Sequence, residues 1–284
     1  MSDHVQIDDN AIADISSEGS LHDVAPDLAY QRLGIVNVAY VGTPGGEWVV
    51  IDAGIPGTKR FMTKAIEERF GENAKPAAIV MTHGHFDHVG NLKALAKAWD
   101  VPIYAHPVEM RYLNGSTSYP DPDPTVGGGM MSALSRFYPK GPVDVSDWLE
   151  PLPEDGTVPG MPGWRWLHTP GHTDGHVAFW READRAVIAG DAFITTNQES
   201  AYAVVKQKPA IQGPPMYFTP DWRAAKASVR MLADLEPNLA ITGHGLAIEG
   251  DELRYGLKIL ADRFDEIAVP KDGKYVPGDM RRTS

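Results

Sequence analysis

The chain of 284 residues contains no cysteine. It can therefore form no disulfide, and no thiolate is available as a nucleophile or a metal ligand. Long apolar runs are also missing, since none approaches the 18 residues that a membrane span needs, and we expect no membrane partner. The first twenty residues lack the basic and apolar segments of a signal peptide, so the cytoplasm is the expected compartment.

Positive charge is scarce. The chain has 26 Lys and Arg against 38 Asp and Glu, which gives a net charge of −12, and it has no basic run longer than the two residues of Arg281-Arg282. Such a surface repels phosphate backbones, so a nucleic-acid partner is not expected. Hydrophobic residues make up 43% of the chain, enough for a sizeable core. The expected partner is a small-molecule substrate, and a homodimer is compatible with the sequence.

Two runs of strands, each followed by helices, predict an α/β protein with two sheets packed face to face and helices outside. The predicted strands cover residues 35–41, 47–51, 77–81, 101–105, 164–168, 177–180, 186–189 and 238–242. The predicted helices carry apolar faces over residues 61–70, 92–99, 222–233 and 253–267. No segment has the composition of a linker, so residues 1–284 are predicted to form one domain.

Four segments lack the pattern of predicted strands and helices. Residues 1–30 are predicted to be an irregular N-terminal arm, and residues 270–284 a loosely held tail. Residues 114–147 and 192–219 are rich in Pro, Gly and aromatic residues, and loops of this length in a compact domain are usually functional. We expect both to build the substrate pocket, with a short helix near residues 132–137.

The densest chemical signal is Thr82-His83-Gly84-His85-Phe86-Asp87-His88, which follows an apolar strand. Alternate residues of an extended segment point the same way, so His83 and His85 can converge on one ion. Asp87 and His88 lie where the chain turns into a helix, so they can face a second ion. A solvated polar loop is the alternative interpretation, but imidazole and carboxylate together are typical of a divalent metal site.

Three later motifs place further ligand-type residues after strands. They are Pro170-Gly171-His172-Thr173, Gly190-Asp191 and Gly243-His244-Gly245, and their glycines permit tight turns. Together with the first motif they hold five of the ten histidines. The order of all four motifs resembles the metallo-β-lactamase superfamily of αββα hydrolases, over about residues 30 to 268.

The resemblance implies a four-layer αββα sandwich of two mixed β-sheets flanked by helices, with a dinuclear metal site. It places His83, His85 and His172 on one ion, Asp87, His88 and His244 on a second ion, and Asp191 as a bridge between them. Two zinc ions are expected, although the same ligands would accept iron or manganese.

Asp52 stands at a strand end where many members of this family carry a supporting carboxylate. By resemblance it would accept a hydrogen bond from a ligating imidazole and fix its tautomer. A turn-capping role in Asp52-Ala53-Gly54 is an equal alternative. Thr82 and Thr173 are candidates for similar support, whereas His176 is expected to lie outside the ligand set.

The resemblance also implies hydrolysis of an ester-like bond. A hydroxide shared by the two ions would attack the carbonyl of a lactone, thioester or related substrate, with Asp87 as the catalytic proton shuttle. Asp191 argues against a true β-lactamase, which usually has Cys or Ser thereabouts. Lactonases of this family carry Tyr three residues after the bridging Asp. Ile194 stands there in this chain, and Tyr202 or Tyr217 could replace that phenol only if the loop folds back.

Three other classes stay open. An iron-dependent branch of the superfamily oxidises persulfides with a similar histidine set. A phosphodiesterase or nuclease shares the motif, but it usually has a basic face that this acidic chain lacks. A non-enzymatic binding module usually loses ligands, and none is missing here.

Overall fold

The computed structural model describes residues 5–6, 19–127, 130–196 and 209–281. The chain divides into two compact units, each assembled from separate stretches. Unit 1 consists of residues 1–13, 120–138 and 167–284, and unit 2 of residues 14–119 and 139–166. Because the chain passes between the units several times, no single linker separates them, and one domain over residues 1–284 stays a prediction.

Strands and helices alternate along the described residues. The strands are β1 (Val5–Gln6), β2 (Leu21–Ala25), β3 (Leu28–Leu33), β4 (Val36–Gly42), β5 (Trp48–Ile51), β6 (Ala78–Val80), β7 (Ile103–Ala105), β8 (Leu149–Pro151), β9 (Trp164–His168), β10 (Val177–Arg181), β11 (Ala186–Gly190), β12 (Ile194–Thr196), β13 (Pro209–Gln212), β14 (Leu239–Thr242) and β15 (Ile248–Glu249). The α-helices are α1 (Lys59–Phe70), α2 (Leu92–Trp99), α3 (Met110–Leu113), α4 (Met130–Leu134), α5 (Trp222–Asp234), α6 (Gly250–Asp262) and α7 (Phe264–Ile267). Within the described ranges, no helix is both long and apolar enough to cross a membrane.

Unit 2 is built on a seven-stranded mixed sheet that runs in sequence order from β2 to β8. The first four strands pair antiparallel, and β5 to β8 pair parallel. Helices α1 and α2 supply the apolar side chains Met62, Ile66, Leu92 and Leu95 to one core with Ile79 of β6. This three-and-four spacing places one stripe of each helix on the sheet.

Unit 1 holds two sheets. A mixed sheet runs in the order β15-β14-β11-β10-β9, with the unit boundary falling inside β9, and β1, β13 and β12 form a small antiparallel sheet. Helix α5 begins after Asp221, whose side chain accepts hydrogen bonds from the backbone N–H groups of Arg223 and Ala224. This cap satisfies two donors that a helix leaves unpaired at its start.

The predicted fold class is confirmed: the protein is a mixed α/β structure with two large mixed sheets and flanking helices. The short helix predicted near residues 132–137 is present as α4 and a 3₁₀ turn at Ser135–Phe137. Two segments predicted to be irregular differ. Residues 1–30 contain β1, β2 and the start of β3, and residues 192–219 contain β12 and β13. β2 pairs with the neighbouring β3 and β12 with the nearby β13, whereas β1 pairs with β13 from the opposite end of the chain. The composition of either segment alone does not reveal these pairings.

The C-terminal segment also differs from its prediction. Val276 is 5% exposed and belongs to the core of unit 1. The backbone N–H of Lys274 donates to Asp123 Oδ2 at 2.5 Å, and the Tyr275 hydroxyl donates to the carbonyl of Asp121 at 2.6 Å. The described part of the tail is therefore tied to the 120–127 segment. The composition of the tail predicts that it is loosely held. Composition cannot reveal the contacts that hold it, because the partners lie about 150 positions earlier in the chain.

We expect Asp123→Ala to release this segment. The Asp123 carboxylate also accepts from the N–H and hydroxyl of Thr125, and losing hydrogen bonds to a buried charged group costs about 1–3 kcal/mol. Hydrogen–deuterium exchange should show faster exchange at residues 273–276. Asp155→Ala is the matched control, because Asp155 makes the same turn with Thr157 in unit 2 and has no tail contact. Equal exchange in both variants would contradict the assignment.

The same contact has a pH dependence. Burial acts to raise the pKa of Asp123, but hydrogen bonds from Thr125 and Lys274 outweigh it and leave the pKa below its usual value. The carboxylate therefore stabilises the fold fully above the unfolded pKa of about 4, and its contribution is lost as pH falls through the lower folded pKa. Because intrinsic amide exchange itself slows on acidification, the measured quantity is the protection factor relative to the intrinsic rate. The protection factors of residues 273–276 should fall on acidification in the wild type and change less in Asp123→Ala.

Candidate metal centre

Unit 2 brings the histidines of the first motif together. The loop that carries them leaves β6 and enters α2, and all three imidazoles are buried. The ring centroid of His83 lies 4.8 Å from that of His85 and 4.1 Å from that of His88. Asp87 is also buried, at 5% exposed. One short loop thus presents three imidazoles and a carboxylate inside the protein.

Asp52 organises this loop from the end of β5. Its Oδ1 accepts the backbone N–H of Thr82 at 2.8 Å, and its Oδ2 accepts the Thr82 hydroxyl at 2.7 Å. The same Oδ2 lies 2.8 Å from Nδ1 of His88. Asp52 itself has a φ of 65°, a left-handed conformation that Asp tolerates better than most residues. Its contact with a predicted imidazole ligand is the one the resemblance implies.

These contacts fix which nitrogen of each ring carries the proton. Since the Asp52 carboxylate can only accept, Nδ1 of His88 must donate to it. The Thr82 hydroxyl gives its proton to Asp52, so at 3.0 Å it accepts from Nδ1 of His83. In both rings Nδ1 is protonated, and Nε2 keeps the lone pair that a metal ligand needs.

Backbone hydrogen bonds join the turn after Asp52 to the end of the ligand motif at residues 82–88. The N–H of Ala53 donates to the carbonyl of His88 at 2.7 Å, and the N–H of Gly90 donates to the carbonyl of Gly54 at 2.7 Å. A Cβ on Gly90 would lie 2.2 to 2.5 Å from backbone atoms of residues 54–56. Only glycine permits this approach, which keeps Asp52 against His88.

Unit 1 supplies the other three predicted ligands. His172 follows β9, Asp191 follows β11 and His244 follows β14. Nε2 of His172 lies 3.3 Å from Asp191 Oδ2, and Nε2 of His244 lies 3.1 Å from the same oxygen. All three residues are at most 2% exposed. Two imidazole nitrogens therefore converge on one buried carboxylate oxygen.

His172 has its Nδ1 engaged in the same manner as His83. The Thr219 hydroxyl donates to the carbonyl of Pro215 at 2.8 Å and lies 3.3 Å from Nδ1 of His172. Because the hydroxyl proton is already used, Thr219 accepts from Nδ1, and Nε2 of His172 is left as the lone-pair nitrogen toward Asp191. The sequence gives no sign of Thr219, which lies 47 residues from its partner.

His176 forms a hydrogen bond with the backbone of Asp191. Its Nε2 accepts the backbone N–H of Asp191 at 2.9 Å, and its Nδ1 lies 2.8 Å from the Thr169 hydroxyl. Nε2 is therefore occupied as an acceptor, which agrees with the expectation that His176 is not a ligand. It holds the backbone of a predicted ligand instead. The repeated Gly-His pair at residues 171–172 and 175–176 is the only sequence signal for this role.

The candidate donors of each unit are of the kinds that divalent metal ions bind. They are the five histidines His83, His85, His88, His172 and His244 and the carboxylates of Asp87 and Asp191, all at most 5% exposed. All seven belong to the buried His and Asp groups that could hold an ion. Burying two carboxylates costs much free energy unless positive charge compensates them, and divalent cations would supply it. Imidazole and carboxylate suit zinc, iron and manganese alike.

Three of the buried imidazoles, those of His83, His88 and His172, have Nδ1 already bonded, an arrangement typical of a metal centre in a mixed α/β protein. Residues 32–244 match the family model of the metallo-beta-lactamase superfamily. The chain belongs to this superfamily.

Individual relatives agree with this membership. The chain is 42% identical over 235 residues to the "Probable metallo-hydrolase YflN" of Bacillus subtilis (strain 168), with 82% of this chain and 89% of the relative covered. The crystal structure of TTHA1623 in a di-iron-bound form is 27% identical, with 80% and 92% covered and a TM-score of 0.51. A beta-lactamase domain protein from Burkholderia ambifaria shares the fold at 20% identity, with 89% and 78% covered and a TM-score of 0.61.

Gly90→Ala tests the close backbone contact between Gly90 and residues 54–56, next to Asp52. Because the new methyl group would overlap backbone atoms of residues 54–56, we expect a loss of about 1–3 kcal/mol in the free energy of unfolding. Urea denaturation measures it. Gly278→Ala is the control, since a Cβ there meets no atom within 4 Å and the residue has no positive φ. Unchanged stability in Gly90→Ala would show that the two turns are not closely apposed.

Proposed function

We propose that this metallo-hydrolase uses a dinuclear metal centre to hydrolyse an ester-like bond, such as that of a lactone or thioester. The observation that carries the proposal is the fixed protonation of three predicted ligands. His83, His88 and His172 each have Nδ1 engaged by an oxygen, so each offers Nε2 to an ion. His176 has the same orientation, but its Nε2 accepts the backbone N–H of Asp191, whereas Nε2 of His172 faces the Oδ2 of that residue.

In the proposed centre His83, His85 and His172 would hold one ion, Asp87, His88 and His244 would hold the other, and Asp191 would be a ligand to both. When bound, the two ions supply an activated water and polarise the carbonyl of the substrate. Zinc is the proposed metal, because hydrolysis needs no redox chemistry and zinc, which has none, binds imidazole and carboxylate ligands. The seven side chains serve as ligands, and Asp52 keeps His88 in the right tautomer.

Asp87 is the proposed proton shuttle. It is buried beside His88, and a carboxylate there can accept the proton released by the activated water and return it to the leaving alkoxide or thiolate. This role requires only that Asp87 hold the proton between the attack of the water and the departure of the leaving group. No serine or cysteine nucleophile is needed, and the chain has no cysteine.

The proposed substrate is a small molecule bound by the 114–147 and 192–219 segments. In unit 1, Leu134 and Phe137 expose apolar surface, with Phe137 at 69%. Tyr217 is buried, and its ring packs against Tyr138 and Phe218. Tyr202 lies outside the described residues. Lactones and thioesters are both proposed as substrates.

Metal content and turnover test the proposal together. We expect about two divalent ions per chain by mass spectrometry of the metals, and activity in a screen of lactones, thioesters, β-lactams and phosphoesters. Asp191→Ala should lose at least one ion and reduce turnover by a factor of a thousand or more, on the order of the effect of removing a main catalytic group. Asp251→Ala is the control, because that side chain is 97% exposed on α6. Full activity in Asp191→Ala would rule out the bridging assignment.

An iron-dependent oxidation is the second candidate. The similarity to TTHA1623, which was crystallised in a di-iron-bound form, favours it. Removing the metals with a chelator and restoring zinc, iron or manganese separately should decide the chemistry. Hydrolysis restored by zinc supports our proposal, whereas oxygen consumption with a persulfide, restored only by iron, would replace it.

A further inference from the structure

Gly84 lies between His83 and His85, and its backbone has unusual partners. Its N–H donates to Oε1 of Glu109 at 3.0 Å and to the hydroxyl oxygen of Tyr119 at 2.8 Å. The Tyr119 hydroxyl in turn donates to Oε1 of the same carboxylate. The peptide group that joins the two histidines is therefore held by two buried side chains of unit 2.

Glu109 is a fully buried carboxylate, at 0% exposed. Burying a charge is costly unless donors compensate it, and here a phenol and a backbone N–H do so. The carboxylate is thus the acceptor at the centre of the Gly84 contacts, and Tyr119 orients it.

Two packing contacts make the arrangement tight. A Cβ on residue 84 would lie 2.7 Å from the Tyr119 hydroxyl and 3.0 Å from Cδ2 of Leu113, so a side chain there would displace the Tyr119 hydroxyl. The ring of Tyr119 lies with its centroid 4.4 Å from that of His85. Tyr119 therefore fixes both the backbone before His85 and one face of its imidazole.

We propose that Glu109 and Tyr119 are positioning residues that set the spacing and orientation of His83 and His85 for metal binding. This inference rests on the proposed function, because it assumes that both histidines are ligands. Neither residue would touch the ion. They act by holding the peptide of Gly84, so that His83 and His85 point to the same side of the extended segment.

The hydrogen bonds of Glu109 and Tyr119 to Gly84 should affect metal affinity more than fold stability. Residues that orient metal ligands typically contribute 10–100-fold to metal affinity or activity. Tyr119→Phe removes the hydroxyl and keeps the ring against His85, so it should weaken metal binding about tenfold. The matched control is Tyr112→Phe. Tyr112 stacks on Tyr119 with ring centroids 3.8 Å apart, but its hydroxyl accepts from Arg111.

The experiment measures Zn²⁺ and Co²⁺ affinity by chelator competition and the visible absorption of the Co²⁺-loaded protein, with thermal unfolding of each apo variant alongside. We expect Tyr119→Phe to lose affinity and to shift the Co²⁺ absorption, and Tyr112→Phe to match the wild type in both. Equal affinities and equal spectra for the wild type and Tyr119→Phe would overturn the inference. So would equal losses in the two Phe variants, which would indicate general packing.

Glu109 provides a rescue test. Glu109→Gln keeps an oxygen that can accept from Gly84 and Tyr119, so it should retain more affinity than Glu109→Ala. Equal losses of metal affinity in Glu109→Gln and Glu109→Ala would contradict a role for the hydrogen bonds to Glu109. If Glu109→Ala does not fold, the comparison of Tyr119→Phe with Tyr112→Phe decides alone. A wild-type chain that binds metal but hydrolyses no tested ester would contradict the proposed function and leave the affinity comparison valid. A wild-type chain that binds neither metal would overturn both.

Discussion

The candidate centre depends first on the carboxylate of Asp52. With two oxygens it accepts the backbone N–H and hydroxyl of Thr82 and the Nδ1 proton of His88. It thereby orders the start of the ligand loop, its end and, through Thr82, the tautomer of His83. A buried carboxylate is stable only when its acceptor capacity is used, and here each bond that stabilises the charge also orients a candidate ligand.

The same physical solution recurs in both units. Hydroxyl oxygens of Thr82 and Thr219 give their protons to other oxygens and so become acceptors for imidazole N–H groups. A threonine can do this because its hydroxyl both donates and accepts. Imidazoles would otherwise choose between two tautomers of similar energy. The surrounding hydrogen bonds remove that choice before any ion arrives, which lowers the entropic cost of binding.

Sequence alone predicted the fold class and the ligand motifs because both rest on local patterns. Apolar runs end in clustered His, Asp and Gly, and the motif order covers most of the chain. The positions of Glu109, Tyr119 and Thr219 could not be predicted, since each contacts a residue 25 to 47 positions away and none carries a spacing signal. The packed tail escaped prediction for the same reason: its acceptor, Asp123, is 151 residues distant from Lys274.

The contact between Lys274 and Asp123 limits how freely the 120–138 segment can be exchanged. A loop anchored at one end by a distant stretch of chain is not an independent module, because its conformation is shared with that stretch. Grafting residues 120–138 onto a relative, to transfer its surface, would leave the Asp123 carboxylate and the Asp121 carbonyl without their donors, the Lys274 N–H and the Tyr275 hydroxyl. A successful graft should therefore carry residues 273–276 as well, so that sequence change in the loop and in the tail is expected to be coupled.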